Sequence, residues 1–209
     1  MAMKPEQNFQ GLSFGEAIAK RGFDIALSLL GLIMTGWLVL LAIVVATFET
    51  KSFGLFKQQR VGRNAKLITV YKIKTMNSVA GNKSTITTKN DSRITSSGAF
   101  FRNTKIDELP QLWNVLMGDM SFVGPRPDVP GYADALEGED RIVLTLRPGI
   151  TGPASIKYKD EEEILARCAD PAKYNDEVIW PDKVIINKRY IKNYSFLKDI
   201  EYILKTILR

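Results

Sequence analysis

Hydrophobic and polar positions are distributed very unevenly along the chain. From Ile25 to Phe48 the run IALSLLGLIMTGWLVLLAIVVATF contains no charged residue. As a helix rising about 1.5 Å per residue it reaches roughly 36 Å, enough to enter or cross a bilayer core. Lys20 and Arg21 precede it, and Lys51, Lys57, Arg60 and Arg63 follow, so both flanks are basic. A spanning helix usually carries a one-sided excess of Lys and Arg; this symmetry suits a segment that dips in and returns, both ends on one face. Thr35-Gly36-Trp37 offers a bend near the middle, since Gly weakens a helix and Thr bonds back to the backbone. A cleaved leader fits less well: the apolar core is too long and no small-x-small site follows.

Beyond the anchor the period changes. Leu67 to Ile73 is rich in β-formers, and Val61-Gly62-Arg63-Asn64 ahead of it has turn chemistry, so a hairpin is predicted. Asn77 to Ser97 is polar and turn-rich and reads as a surface loop. A helix is predicted from about Asp107 to Met117. The stretches GDMSFVGPRPDVPGY and LRPGITGPAS carry too much Gly and Pro for regular structure, and rigid loops of this kind tend to line a site. KDEEEILARCADPAKYNDE reads as one helix with an acidic start and a solvated acidic face. At the C-terminus Phe196, Leu197, Ile200, Ile203, Leu204, Ile207 and Leu208 recur at helical spacing among Lys198, Lys205 and Arg209, a pattern for core packing or for a membrane interface. The expected class is α+β and helix-rich: an interfacial segment over 1–19, a membrane-embedded helix over 20–50 and a catalytic domain over 51–209.

Composition narrows the chemistry. The 209 residues include no histidine and one cysteine, Cys168. Imidazole catalysis, Ser-His or Cys-His nucleophiles, His-ligated zinc and an internal disulfide are therefore excluded. What remains is carboxylates, Lys, Arg, Tyr, hydroxyls, or a hard metal held by oxygen. A net charge of +6 suits phosphate-rich partners. Nucleic acid is not expected, because the basic residues do not gather on a reading helix. Neither a Walker-type loop nor a dinucleotide fingerprint is present.

In KIDELPQLWNV, Lys105 to Val115, two carboxylates stand side by side before a proline. Asp107 and Glu108 are open to two readings, a helix cap or a reactive, metal-binding pair.

Taken in order, FKQQRVGRNAK, YKIKTM, DSRITSSG, FFRNTKIDELPQLWNVLMGDMSFVGPRP, RPGITG and YIKNYSFLKDI resemble the bacterial sugar transferases, the monotopic phosphoglycosyl transferases, over nearly the whole chain from Lys20. The chain resembles their minimal form. The resemblance implies transfer of a sugar phosphate from a UDP-sugar to a polyprenyl phosphate such as undecaprenyl phosphate, with release of UMP. It places the enzyme on the cytoplasmic face of the bacterial inner membrane, where a homodimer is one possible assembly. It further implies Asp107 as nucleophile, Glu108 as ligand to Mg²⁺, and Arg102 and Arg126 as phosphate binders, Arg126 being held between Pro125 and Pro127. Lys72 matches a further family position; Lys74 stands where the family has arginine. The family's membrane helix bends at a Ser-Pro pair, and here Gly36-Trp37 occupies that place. A carboxylate is ionised at neutral pH and needs no general base, which suits a chain without histidine. The alternatives are a membrane-bound nucleotide-sugar hydrolase using water as acceptor, and a catalytically silent scaffold. The donor sugar and the glycoconjugate served, exopolysaccharide or lipopolysaccharide among them, are not encoded in any motif.

Overall fold

A computed structural model describes residues 11–77 and 91–208. Most of the predicted polar loop and the first half of the predicted N-terminal interfacial segment lie outside those residues. The apolar run forms the core of α1, Phe14–Thr50. Ser13 caps it in a reciprocal box: its hydroxyl accepts from the Glu16 N–H, and the Glu16 carboxylate accepts from the Ser13 N–H at 2.9 Å. Lys51, in the left-handed conformation, ends it. The backbone stays helical through the predicted bend at Gly36 and Trp37, and the Thr35 hydroxyl donates to the Gly31 carbonyl at 2.7 Å without interrupting it.

The two sides of α1 differ in partner. Leu29, Ile33, Trp37, Leu40, Val44 and Phe48 form an exposed apolar stripe at helical spacing. The opposite side is held by the rest of the protein from end to end. Near the N-terminus Lys20 pairs with Asp199 at 2.5 Å, Arg21 donates to the Val115 and Leu116 carbonyls, and Asp24 accepts from Ser121 and the Phe122 N–H. Near the C-terminus Ala42 and Ala46 pack on Ile73 and Phe101, and Gly54 N–H donates to Thr47.

The predicted hairpin is present: β1, Leu55–Val61, runs antiparallel to β2, Leu67–Ile73, with Val61 opposite Leu67. Asn64 and Ala65 take positive φ in the turn. After α2, Ser96–Asn103, the chain makes a single 3₁₀ turn, Ile106–Glu108, before α3, Gln111–Met117. The helix predicted from Asp107 thus starts four residues later. Lys105 is left-handed and Pro110 occupies the N-cap of α3, so Asp107 and Glu108 sit on the preceding turn and cap nothing. The predicted end is met at Met117, where left-handed Gly118 stops α3.

Two segments read as irregular pair instead. β3, Ser121–Val123, lies parallel to β4, Gly149–Thr151. Glycine makes this possible, because a Cβ at Gly149 or Gly152 would overlap the backbone of Gly124. The pairing continues past β3: Gly124 N–H donates to Thr151 O at 2.9 Å and Gly149 N–H to Pro125 O at 2.8 Å. The loop carrying Arg126 is thereby tied to β4.

The acidic stretch is also not one helix. After α4, Pro153–Lys157, it divides into α5, Glu161–Ala166, and α6, Pro171–Tyr174, which joins through a π turn to α7, Trp180–Lys192. Asp170 and Pro171 make the break, since a proline cannot donate to the preceding turn and Asp170 caps α6. The C-terminal repeat forms α8, Phe196–Ile207. Tyr202 and Ile203 reach the main core of Val123, Ile142, Leu146, Tyr190 and Ile191, while Leu197, Leu204 and Ile207 stay exposed. Both predicted uses of its apolar positions are therefore available on one helix.

Candidate active site

The 3₁₀ turn, the end of β2 and the loop after β3 converge. Glu108 is the meeting point: its Oε1 accepts from Arg126 at 2.8 Å and from Lys72 Nζ at 3.1 Å. Burial alone would raise the Glu108 carboxyl, but the two cations overrule it and hold it well below the usual carboxylate range. Arg126 is pushed the other way, upward, chiefly by the Glu108 charge.

Asp107, the adjacent residue, has the opposite environment. It is 7% exposed, and its Oδ1 has no hydrogen-bond partner among the described residues. Burial first, and then the Glu108 charge, push its pKa up to about 6. At neutral pH it is still mostly ionised, and it is a stronger nucleophile than an ordinary aspartate. Two neighbouring carboxylates with environments that drive them apart can take two roles, one reacting and one fixed as an electrostatic element.

Beside this pair lies a small cavity lined by Arg60, Val70, Lys72, Gln111, Arg126 and Pro127. Three of its six lining side chains are cationic, so its field favours an anion such as phosphate. Arg60 is set by the backbone, donating to the Pro127 carbonyl at 3.3 Å, while Val61 N–H donates to Asp128 O at 2.8 Å. Asp128, just past Pro127, is raised to about 6 by burial, with Lys183, Arg60 and Arg126 acting against that shift.

The residues predicted from the sequence divide accordingly. Asp107, Glu108, Lys72 and Arg126 come together; Pro125 and Pro127 hold Arg126 between them, Pro125 through the bond to β4 and Pro127 as cavity wall. Arg102, at the end of α2, is paired with Glu162 of α5 and stands apart from the Glu108 cluster, although its charge is felt at Asp107. Glu162, and Glu161 paired with Lys183 at 2.7 Å, show that the acidic start of α5 partners cations and is not merely a solvated face. Lys74 bonds Ser52 at 2.6 Å. Trp37 lies on the exposed stripe of α1 with half-buried Gly36 beside it, and neither forms part of the pocket. Arg60 and Gln111 were not singled out by sequence. Their signal was present only as position: Arg60 in FKQQRVGRNAK and Gln111 directly after Asp107-Glu108-Leu109-Pro110.

The residues also bear on a metal. No group of three or more His, Cys, Asp or Glu side chains is gathered among the described residues. Asp107 and Glu108 provide two carboxylates, one with an oxygen that has no partner among the described residues. Such a set is too sparse for an all-protein cage and fits Mg²⁺, which keeps waters and shares its coordination with substrate phosphates.

Comparison with known proteins gives a consistent set of relatives. A family model described as bacterial sugar transferase matches residues 15–209. The chain is 34% identical over 203 residues to the exopolysaccharide production protein PSS of Rhizobium leguminosarum bv. phaseoli, covering 92% of this chain and 95% of that protein. It is 32% identical over 198 residues to the UDP-glucose:undecaprenyl-phosphate glucose-1-phosphate transferase of Klebsiella pneumoniae, covering 92% of this chain and 40% of that one. It is also 32% identical over 203 residues to the undecaprenyl-phosphate galactose phosphotransferase of Salmonella typhimurium (strain LT2), covering 90% and 39%.

Proposed function

The chain belongs to the bacterial sugar transferase family, and from that premise we propose that it moves a sugar-1-phosphate from a UDP-sugar to a polyprenyl phosphate and releases UMP. One observation carries this reading: Glu108 is locked as an anion between Arg126 and Lys72, while adjacent Asp107 is buried with an oxygen unpartnered among the described residues. Relatives named for transfer to undecaprenyl phosphate support the acceptor.

In the first step a carboxylate oxygen of Asp107 attacks the sugar-bearing phosphorus. The bond from that phosphorus to the bridging oxygen breaks, and UMP leaves with the bridging oxygen's electron pair. An acyl phosphate joins Asp107 to the sugar phosphate. In the second step an oxygen of the lipid phosphate attacks the same phosphorus and the Asp107 carboxylate departs unchanged. Arg126, Lys72 and Arg60 hold the diphosphate against the repulsion of an incoming anion. Glu108, and Asp107 next to it, would hold Mg²⁺, which when bound would supply charge neutralisation for the diphosphate and the leaving group.

Attachment on one face of the membrane fits α1. A spanning helix presents about twenty residues to lipid on all sides. Here polar and backbone partners from the same domain hold Arg21 and Asp24 near one end and Thr47 near the other, while only the opposite stripe is free. Both ends then lie on the side that holds the nucleotide sugar, the cytoplasmic face, with residues 51–209 as the catalytic domain and 20–50 embedded.

The test is UMP release by detergent-solubilised protein given a panel of UDP-sugars, Mg²⁺ and undecaprenyl phosphate. Release with one sugar, with product in the lipid phase and none from Asp107→Asn, is the expected result. Free sugar phosphate in the aqueous phase would identify a hydrolase instead.

A further inference from the structure

We infer that the side-chain amide of Gln111 donates a hydrogen bond to a phosphoryl oxygen of the nucleotide-sugar diphosphate, an inference that rests on the function proposed above. Gln111 is the first residue of α3 and is 3% exposed, yet its Nε2 finds no acceptor among the described residues. A buried donor left unpaired is costly, and native proteins keep few of them without a use.

Asn114, three residues along the same helix, shows what a purely structural amide looks like here. Its Nδ2 donates to the Thr69 carbonyl at 2.7 Å and its Oδ1 accepts from the Tyr71 N–H at 3.1 Å, joining α3 to β2. Gln111 makes no such bridge. Instead it lines the cavity with Arg60, Lys72 and Arg126. The remaining unpaired buried atoms, on Asp24, Asp107, Ser155 and Asn187, belong to residues outside that lining.

The chemistry selects the occupant. The unpaired atom is an N–H donor, which wants an oxygen lone pair and cannot itself ligate a cation. Three cationic neighbours select an anion, and Glu108, the nearby carboxylate, already accepts from two of them. A diphosphate offers several acceptor oxygens at once. A neutral amide among charged groups adds a directed hydrogen bond to the contact without changing the charge of the site, which suits a group that must be held in line for attack.

The experiment uses the full chain in detergent and compares wild type with Gln111→Met, close in size but without a donor, and Gln111→Glu, close in shape but presenting an anion. Affinity for UDP with Mg²⁺ is measured by titration calorimetry, UMP release from the active UDP-sugar by kinetics, and ligand-free melting by thermal shift. Gln111→Met is expected to melt at or above the wild-type temperature, to bind UDP about tenfold or more weakly, and to lose about a hundredfold in kcat/KM. Gln111→Glu is expected to bind UDP more weakly still. A Gln111→Met protein that binds UDP like wild type overturns the inference, whether turnover is normal or reduced, since reduced turnover alone would make Gln111 a positioning residue for Asp107. If Gln111→Met does not fold, unaltered UDP binding by Gln111→Glu overturns it equally. Wild type that neither binds UDP nor releases UMP overturns the proposed function and this inference together; wild type that does both isolates the test of Gln111.

Discussion

At the scale of single residues, the site works through contrast between neighbours. Glu108 is stabilised as an anion by Arg126 and Lys72, and Asp107 is held in a place that penalises its charge. The Asp107 pKa of about 6 lies above the 3.8 of an unconstrained aspartate, so the folded state holds its proton more tightly than the unfolded chain. The penalty is therefore fully present above pH 6 and is relieved as pH falls towards 4. Asp107→Asn should abolish UMP release and yet stabilise the protein by about 1–3 kcal/mol at pH 7.5. The gain should shrink when melting is measured at pH 4.5. Equal melting temperatures at pH 7.5 would mean that the buried charge carries no cost. The same shift gives the free enzyme an acidic limb: kcat/KM for UMP release should fall as pH drops through about 6, and an enzyme keeping full kcat/KM at pH 5 would not be using this carboxylate.

At the scale of elements, glycine separates two kinds of position. Gly149 lets β4 approach Gly124 and so fixes the loop that presents Arg126. Gly149→Ala should cost more than about 3 kcal/mol and remove activity, because the clash is with backbone that cannot rotate away. Gly36 meets nothing within 4 Å, and α1 is helical through it. Gly36→Ala should keep activity and add up to about 1 kcal/mol to helix stability; paired activity and melting measurements would reveal the reverse if Gly36 were a working hinge. These elements also show what a sequence can reveal. The apolar run, the β1–β2 hairpin and the periodicity of α8 carry local signals strong enough to be read directly. The β3–β4 pair is three residues against three across a long separation, and no period survives in so short a strand. α3 starts four residues after the sequence predicts because Asp107-Glu108-Leu109-Pro110 resembles a helix entry, whereas left-handed Lys105 and the 3₁₀ turn precede the helix proper. The convergence of Arg60, Lys72, Gln111 and Arg126 depends on tertiary packing, which local patterns do not encode.

At the scale of the whole molecule, the proposed function has one helix, α1, join membrane and catalytic chemistry. Besides the stripe of α1, Leu204 and Ile207 of α8 and Phe100, Trp113 and Met117 from α2 and α3 are exposed apolar side chains. Lys20 and Asp199, buried together, tie α1 to α8, with Tyr190 donating to the same carboxylate at 2.6 Å. If the assembly sits on one face, single cysteines introduced at Gly11 and at Phe53 of a Cys168→Ser protein should both react with an impermeant maleimide in inside-out vesicles, and neither in intact spheroplasts. Opposite labelling of the two positions would mean that α1 crosses.

The central claim is a covalent role for Asp107, and it is tested most directly without the lipid acceptor. Purified protein is mixed with its UDP-sugar and Mg²⁺ alone, UMP is counted, and the protein is weighed intact and mapped by mass spectrometry. The account predicts a burst of up to one UMP per protein and a phosphosugar adduct on Asp107, discharged when undecaprenyl phosphate is added. UMP that appears only after lipid is supplied, with no adduct at any time, would contradict it.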